Sequence, residues 1–184
     1  AEAQGGRLGR VNRHTHQARD IQPMAKAGEK LRFNWNTPLH LSPNEKGTLY
    51  MGAQFLFRTR DHGQSWERIS PDLTTNDPLK QRQEYSGGVT VDNSAAETHT
   101  TIYTIGESPR SAGTIWVGTD DGNVQLTRDA GKTWSNAGAP LHRGKDALPQ
   151  ASWVSWVEAS RHDAATAYAT FDRHTFGDFA PYLY

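Results

Sequence analysis

Short stretches rich in β-branched and aromatic residues alternate with polar turns along the whole chain. Such stretches are typical of strands, and proline and glycine in the intervening turns favour reversal of the chain. Three of them, 31–41, 101–107 and 153–159, each precede a polar turn that begins with serine. No apolar stretch approaches the ~20 residues that cross a bilayer. The pattern predicts an all-β chain of short strands.

The serine turn and the strand after it recur in one ungapped register. Residues 42–52, 108–118 and 160–170 each begin with serine and place a small residue five positions later. Threonine follows at the next position, and an aromatic residue stands eight positions after the serine. Agreement of this kind is the signature of a repeated structural unit. The sequence therefore predicts that one supersecondary unit is built three times.

A second motif, Thr-Arg-Asp-x-Gly-x-(Ser/Thr)-Trp, follows in the first two copies, at 59–66 and 127–134. Its aspartate can accept hydrogen bonds from main-chain N–H groups of its own turn, and its glycine supplies a backbone angle that other residues resist. The hydroxyl residue can bond back to the carboxylate, and the tryptophan covers the turn with apolar area. The predicted structural residues are Thr59, Asp61, Gly63, Ser65 and Trp66, and Thr127, Asp129, Gly131, Thr133 and Trp134.

Together the two motifs describe a unit of four antiparallel strands, which is the form of a propeller blade. A β-solenoid is the structural competitor, but its repeats are shorter. We predict the last strands of a preceding blade in 1–30, complete blades in 31–74 and 100–141, an inter-blade loop in 75–99 and the first strands of a truncated blade in 142–184. Propellers typically close with four to eight blades. We therefore expect either a longer parent chain or association between copies, and no stable closed monomer.

The Thr-x-Asp-x-Gly-x-(Ser/Thr)-Trp element resembles the Asp box, or bacterial neuraminidase repeat, of sialidases, xyloglucanases and the sortilin-type propeller. Residues 69–74, 107–109, 115–122 and 181–184 resemble large exported bacterial proteins that carry the label "glycosyl hydrolase" or "sortilin-like". The resemblance implies a β-propeller of an exported bacterial protein. It also implies that the Asp boxes hold the fold on a rim opposite the ligand-binding face.

Charge and composition exclude several classes of function. Twenty basic residues balance twenty acidic ones, which removes the electrostatic argument for nucleic acid or an anionic membrane surface. The chain has no cysteine, so a disulfide, a thiolate zinc site and a cysteine nucleophile are excluded. Residues 120–123 are interpreted as a hairpin turn rather than a calcium loop, and His14 and His16 as a polar turn rather than a metal site. No cofactor and no metal is predicted.

Candidate ligand contacts lie beside the first strands of the units and in the long connection. The aromatic faces of the tryptophans suit sugars and peptides, whereas packing between blades is the alternative. Connections longer than ~15 residues are often functional, with a solvated excursion as the alternative. The candidates are Trp35, Arg82, Glu84, Tyr85, Trp153 and Trp156.

Glu107 and Glu158 stand one and two residues before the repeated serine, at the ends of first strands. They are the weak candidates for catalytic acids, and a rim salt bridge is the alternative for both. The sequence favours a non-catalytic binding or assembly segment of an exported protein that recognises a peptide or glycan. The alternative is part of a glycoside hydrolase whose catalytic acids lie largely outside the segment.

Overall fold

The computed structural model describes residues 2–85 and 98–184, which form an all-β chain of four antiparallel sheets. The first sheet holds β1 (Glu2–Ala3), β2 (Arg7–Val11) and β3 (Ala18–Asp20). The second holds β4 (Leu39–Leu41), β5 (Leu49–Gly52), β6 (Leu56–Thr59) and β7 (Glu67–Arg68). The third holds β8 (Ile102–Glu107), β9 (Ile115–Thr119), β10 (Val124–Thr127) and β11 (Ser135–Asn136). The fourth holds β12 (Trp153–Ala159), β13 (Ala167–Arg173) and β14 (Asp178–Leu183).

Helical structure in the described ranges is confined to short 3₁₀ turns. They span Gln4–Gly6, Pro78–Gln81, Gln83–Tyr85, Ala139–His142 and His174–Phe176. Within the described parts of the chain, no helix has the length and apolar character needed to span a membrane. Residues 86–97 of the predicted connection 75–99 lie outside the described residues.

Every sheet is a meander, because each strand pairs with its neighbour in the sequence. In the second sheet, for example, Leu39 pairs with Met51 and Gly52 pairs with Leu56. Successive side chains of a strand point to opposite faces, so a sheet placed between two others must be apolar on both. β5 shows this: Tyr50 enters the core shared with the third sheet, and Met51 enters the core shared with the first.

Three apolar cores therefore lie between consecutive sheets. The first contains Leu8, Ile21, Phe33, Met51, Ala53 and Phe57. The second contains Tyr50, Leu56, Ile69, Leu73, Ile102, Ile105, Ile115 and Val117. The third contains Trp116, Val124, Leu126, Leu148, Val154, Val157, Ala159, Ala169 and Phe171. Four-stranded meanders stacked face to face in chain order are propeller blades, so the predicted fold, a segment of a β-propeller, is confirmed.

The segment before the second sheet is less regular than the sequence indicates. An extended first strand was expected from Leu31, but regular pairing begins at Leu39. Before that point the main chain bonds largely to side chains, and its main-chain bonds are isolated ones from Gly52 N–H to the carbonyl oxygen of Pro38 and from Gly5 N–H to that of Trp35. Arg32 N–H donates to Oε1 of Gln54 over 2.8 Å, and Asn36 N–H donates to Oδ1 of Asn34 over 3.0 Å. These bonds satisfy the backbone without a ladder.

Candidate functional site

The first strands of the second, third and fourth sheets, β4, β8 and β12, lie side by side and form the wall of an open groove. Its volume is about 520 Å³, within the roughly 300–1,000 Å³ range of small-ligand sites. Side chains with chemistry for binding that line the groove are His40, Glu107, Arg110, Trp156, Glu158 and Arg161. The groove thus brings together three residues singled out from the sequence: Glu107, Trp156 and Glu158.

The repeat register explains why these side chains meet. The two positions before the repeated serine hold His40 and Leu41 in the second sheet, and Gly106 and Glu107 in the third. The absence of a side chain at Gly106 permits close approach of β12, because a Cβ there would lie 3.1 Å from the carbonyl oxygen of Val157. The signal for His40 was therefore present in the sequence, since it occupies the repeat position of Glu158.

Glu107 ends β8 and is 5% exposed, although it belongs to the groove wall. Its Oε1 accepts a hydrogen bond from Gly113 N–H over 3.2 Å, whereas its Oε2 is buried and has no hydrogen-bond partner among the residues of 2–85 and 98–184. Among the described residues, no ion pair reaches Glu107, so the rim salt bridge considered from the sequence is wrong for this residue. A buried carboxylate oxygen without a partner is costly to maintain.

His40 lies beside this carboxylate in an uncharged form. Its Nε2 accepts a hydrogen bond from the main-chain N–H of Glu107 over 3.2 Å, so that nitrogen carries no proton. Burial lowers the pKa of His40, and the charges of Glu107 and Glu158 oppose that shift. Burial, followed by the charge of Glu107, raises the pKa of the neighbouring Tyr50 to about 12. Neither side chain supplies a positive charge to Glu107 near neutral pH.

The opposite side of the groove is formed by β12 and is more open. Trp156 is 58% exposed, and its indole N–H donates to Oε2 of Glu158 over a long 3.4 Å. Arg161 lies 3.9 Å from Glu158, and both side chains are at least half exposed, so this pair contributes little. An aromatic face and a carboxylate are therefore available to a ligand.

A second polar cluster lies at the other end of the strands, where Asp120 follows β9 and is fully buried. Its carboxylate accepts from the N–H and Oγ1 of Thr101 over 2.9 and 2.6 Å, and from Nδ2 of Asn34 over 3.1 Å. Burial raises the pKa of Asp120 to about 7 against these hydrogen bonds, which favour the charged form. The carboxylate is enclosed and satisfied, so it joins the sheets instead of meeting a ligand.

Trp153 belongs to this end and does not line the groove. Its ring packs edge-on against His99 and Tyr103, with centroid distances of 5.3 and 5.7 Å. Burial lowers the pKa of His99, and its Nδ1 accepts from the N–H of Thr100. This arrangement is the packing role that the sequence left open as an alternative for the tryptophans.

The remaining candidates from the sequence also lie apart from the groove. Trp35 sits in the turn before β4, where its carbonyl oxygen accepts from Gly5 N–H. Arg82 and Tyr85 lie in the long connection, with the guanidinium 5.9 Å from the ring centroid. Tyr85 is 79% exposed, and Glu84 beside it is exposed as well. The structure therefore does not bring these four residues to the groove.

The two hairpins at 59–66 and 127–134, called here the aspartate hairpins, are closed by the same set of hydrogen bonds. Asp61 Oδ1 accepts from Thr59 Oγ1 and Ser65 N–H over 2.8 and 2.9 Å, and its Oδ2 accepts from Ser65 Oγ over 2.5 Å. Gly63 N–H donates to Thr59 Oγ1 over 2.9 Å. The second hairpin repeats each bond. These bonds lower the pKa of Asp61.

Each aspartate hairpin also contacts the preceding sheet. Trp66 donates its indole N–H to the carbonyl oxygen of Ile21 over 2.7 Å, and Trp134 donates to that of Ile69 over 3.1 Å. Because strands alternate in direction, these hairpins share one end of the sheets with the serine turns, as the Arg60–Glu45 ion pair shows. The groove reaches Pro43 and Pro109 in those turns. It thus opens at the hairpin end, whereas the resemblance implied a binding face at the opposite end.

Comparison with known proteins gives distant structural likenesses, without a match in sequence. No family model and no curated protein matches the sequence. Among solved structures, the crystal structure of the GH74 xyloglucanase from Xanthomonas campestris is similar to this chain at 18% sequence identity, with a TM-score of 0.43. The likeness covers 78% of this chain and 18% of the xyloglucanase, so the chain spans less than a fifth of that enzyme's length.

Proposed function

We propose that the chain is a non-catalytic binding segment of a β-propeller and that its groove recognises a peptide or a glycan. The observation that carries the proposal is the exposed face of Trp156 beside Glu158, in a groove whose far wall holds Glu107. Ligand sites combine apolar and aromatic walls with a few polar groups that fix orientation, and the groove has both.

The burial of Glu107 supports binding over catalysis. A glycosidase pair needs one carboxyl group to protonate the leaving oxygen and a second that reaches the sugar or a water. Glu107 Oε1 is engaged with Gly113 N–H, and its other oxygen is inaccessible to solvent. Such a carboxylate can act as a fixed charge that selects a ligand, because binding does not require the carboxylate to move or to exchange protons.

We further propose that this segment works within an exported bacterial protein, next to further blades of a longer chain or of another copy. The fourth sheet supports this, since Tyr168 and Leu183 expose 54% and 66% of their surface. Sheets elsewhere in the structure bury such residues against a neighbouring sheet.

The groove is tested by binding measurements on the 184-residue chain with a panel of peptides and oligosaccharides. The readout is the NMR resonance of the Trp156 indole N–H, assigned by comparison with Trp156→Phe. We expect one ligand class to shift this resonance. In Trp156→Ala, which lacks the indole, titration calorimetry with that ligand should show that the binding is lost. The control is Phe179→Ala, which removes a ring that is 83% exposed outside the groove and should bind normally. Absence of any shift across the panel would contradict the proposal.

A glycoside hydrolase is the second candidate, because Glu107 and Glu158 line the same groove from adjacent strands. Reducing-end assays of the chain on a panel of polysaccharides test it. Under the binding proposal no turnover is expected. Turnover that disappears in Glu107→Gln or Glu158→Gln would establish the hydrolase and exclude a purely binding role.

A further inference from the structure

The carboxylate of Glu107 lines the groove and forms no ion pair with any residue that the structure describes. The side chain is 5% exposed, and within the described part of the chain its Oε2 has no hydrogen-bond partner. His40 and Tyr50 lie near it and bring no positive charge near neutral pH, because burial lowers the pKa of the imidazole and a tyrosine hydroxyl is never cationic. A buried carboxylate is stabilised by a cation that arrives with hydrogen-bond donors.

The walls of the groove fit the stem of a long cationic side chain. Leu41 and Trp156 are 72% and 58% exposed and line the groove on its two sides. Lysine and arginine place three or four methylene groups on apolar surface while the charged head reaches a polar partner. An indole face attracts a cation, and Glu158 beside Trp156 adds a second negative charge on the approach.

We propose that the groove binds the lysine or arginine side chain of a peptide, with its cationic head over the small part of Glu107 that the groove exposes and its stem against Leu41 and Trp156. This inference rests on the binding function proposed above and names its ligand class. An amino-sugar glycan is disfavoured because its ammonium group is attached directly to the ring. Such a group lacks the reach to meet a carboxylate that is 5% exposed.

The residues at the rim of the groove determine which peptide residues are favoured on either side of the bound basic side chain. Arg110 and Arg161 line the groove, and both are exposed. Their charges oppose any cation at the exposed rim and attract carboxylates at short range, whereas Glu107 and Glu158 attract a cation inside the groove. The groove should therefore favour one basic residue between acidic neighbours over a run of basic residues.

The probe is a capped five-residue peptide with a central lysine between two aspartates, and the comparison peptide has norleucine in place of the lysine. Norleucine keeps an apolar stem of similar length and removes the charge. We expect the lysine peptide to shift the Trp156 indole resonance and to bind at least about tenfold more tightly than the norleucine peptide. This comparison needs no variant of the protein.

Glu107→Gln tests the carboxylate, because its amide oxygen can still accept the hydrogen bond from Gly113. We expect affinity for the lysine peptide to fall about tenfold, with thermal unfolding followed in parallel to show that the fold is kept. The matched control is Glu67→Gln, which removes a carboxylate from the outer strand β7, and it should bind like the parent chain.

Equal binding of the lysine and norleucine peptides would overturn this inference, as would full affinity in a folded Glu107→Gln. The inference would also be overturned if chitosan oligomers shifted the Trp156 indole resonance and the lysine peptide did not. That result would leave the proposed binding function intact. If neither peptides nor glycans shift the Trp156 indole resonance, the proposed binding function is wrong as well.

Discussion

Trp134 donates its indole N–H over 3.1 Å to the main-chain carbonyl oxygen of Ile69, which belongs to the preceding sheet. Trp66 makes the equivalent bond to Ile21, one sheet earlier. The tryptophan of each aspartate hairpin therefore closes its own turn and also joins two blades. Since the cores between blades provide the rest of the contact, these bonds fix the position of one sheet on the next.

Trp134→Phe should destabilise the chain by about 0.5–1.5 kcal/mol through the lost hydrogen bond, with a further loss from the smaller ring. Trp66→Phe should have an effect of the same sign. Trp156→Phe is the control, because this indole is exposed and bonds weakly, and it should change the free energy of unfolding little. Urea denaturation measures all three, and equal losses for Trp134→Phe and Trp156→Phe would refute the role given to the bond.

Local chemistry explains which parts of this structure the sequence could predict. The aspartate hairpins could be predicted because their hydrogen bonds join residues that are two to four positions apart, such as Ser65 and Asp61. The strands and the stacked sheets followed from a repeat that preserves its register. The same turn device also occurs at Thr119 and Asp121, where Thr119 Oγ1 donates to the carboxylate and accepts from Asn123 N–H. That copy lacks the terminal tryptophan and was missed.

The burial of Glu107 and Asp120 could not be predicted, because it depends on contacts between distant segments. Asp120 accepts from Asn34, which is 86 positions away, and His40 accepts from the N–H of Glu107 across 67 positions. The repeat register places His40 and Glu107 at the same end of neighbouring first strands, but it does not encode their hydrogen bond, and no spacing encodes the approach of Asn34 to Asp120. The groove is likewise formed by three strands that belong to three different sheets. The sequence therefore indicated Trp156 and Glu158 as candidates but did not predict the groove that they line.

The hairpin packs closely on the preceding sheet. We therefore expect Gly→Ala substitution to cost different amounts of stability at two glycines that have similar backbone angles. Gly131 has φ of +98° and a Cβ there would clash with the carbonyl oxygen of Ile69, whereas Gly144 has φ of +92° and open space around it. Both Gly→Ala changes incur the cost of a left-handed backbone. Gly131→Ala should cost about 1–3 kcal/mol more, because it also overpacks the contact. Similar losses in urea denaturation would contradict this.

The hydrogen bonds of Asp129 predict a loss of stability in acid. The side chain and N–H of Thr133, with Thr127, lower the pKa of Asp129 from 3.8 to about 2. A carboxyl group with a lowered folded-state pKa stabilises the fold above its unfolded pKa, and this contribution disappears as the pH falls from about 4 to 2. Asp129→Asn should therefore melt below the parent chain at pH 7, with the difference narrowing toward pH 2.

Asp146→Asn is the control for Asp129→Asn, because it removes an exposed carboxylate from the connection before β12. It should leave the melting temperature nearly unchanged across the range. Binding in the groove should persist in folded Asp129→Asn, since Asp129 does not line it. A constant difference in melting temperature from pH 7 to pH 2 would exclude the ionic contribution assigned to Asp129.

The raised pKa of Asp120 leads us to expect a pH dependence of stability with the opposite sign to that of Asp129. Burial raises its pKa from 3.8 to about 7, so between these values the folded chain binds a proton that the unfolded chain lacks. Linkage then requires the free energy of unfolding to fall as the pH rises from about 4 to 7. His99 faces Asp120 at 3.5 Å, and its lowered pKa acts in the other direction over its own range. The contribution of Asp120 must therefore be isolated by substitution.

Asp120→Asn keeps the size of the side chain and removes its titration. Subtracting the unfolding free energies of the variant from those of the parent, in urea series from pH 4.5 to 7.5, isolates the titration of Asp120. The parent should lose stability relative to the variant as the pH rises through this window. Asp146→Asn, at an exposed position, should show no such trend. A difference between the parent and Asp120→Asn that stays constant over this window would mean that the Asp120 carboxylate is ionised in the folded chain, held so by the hydrogen bonds from Thr101 and Asn34.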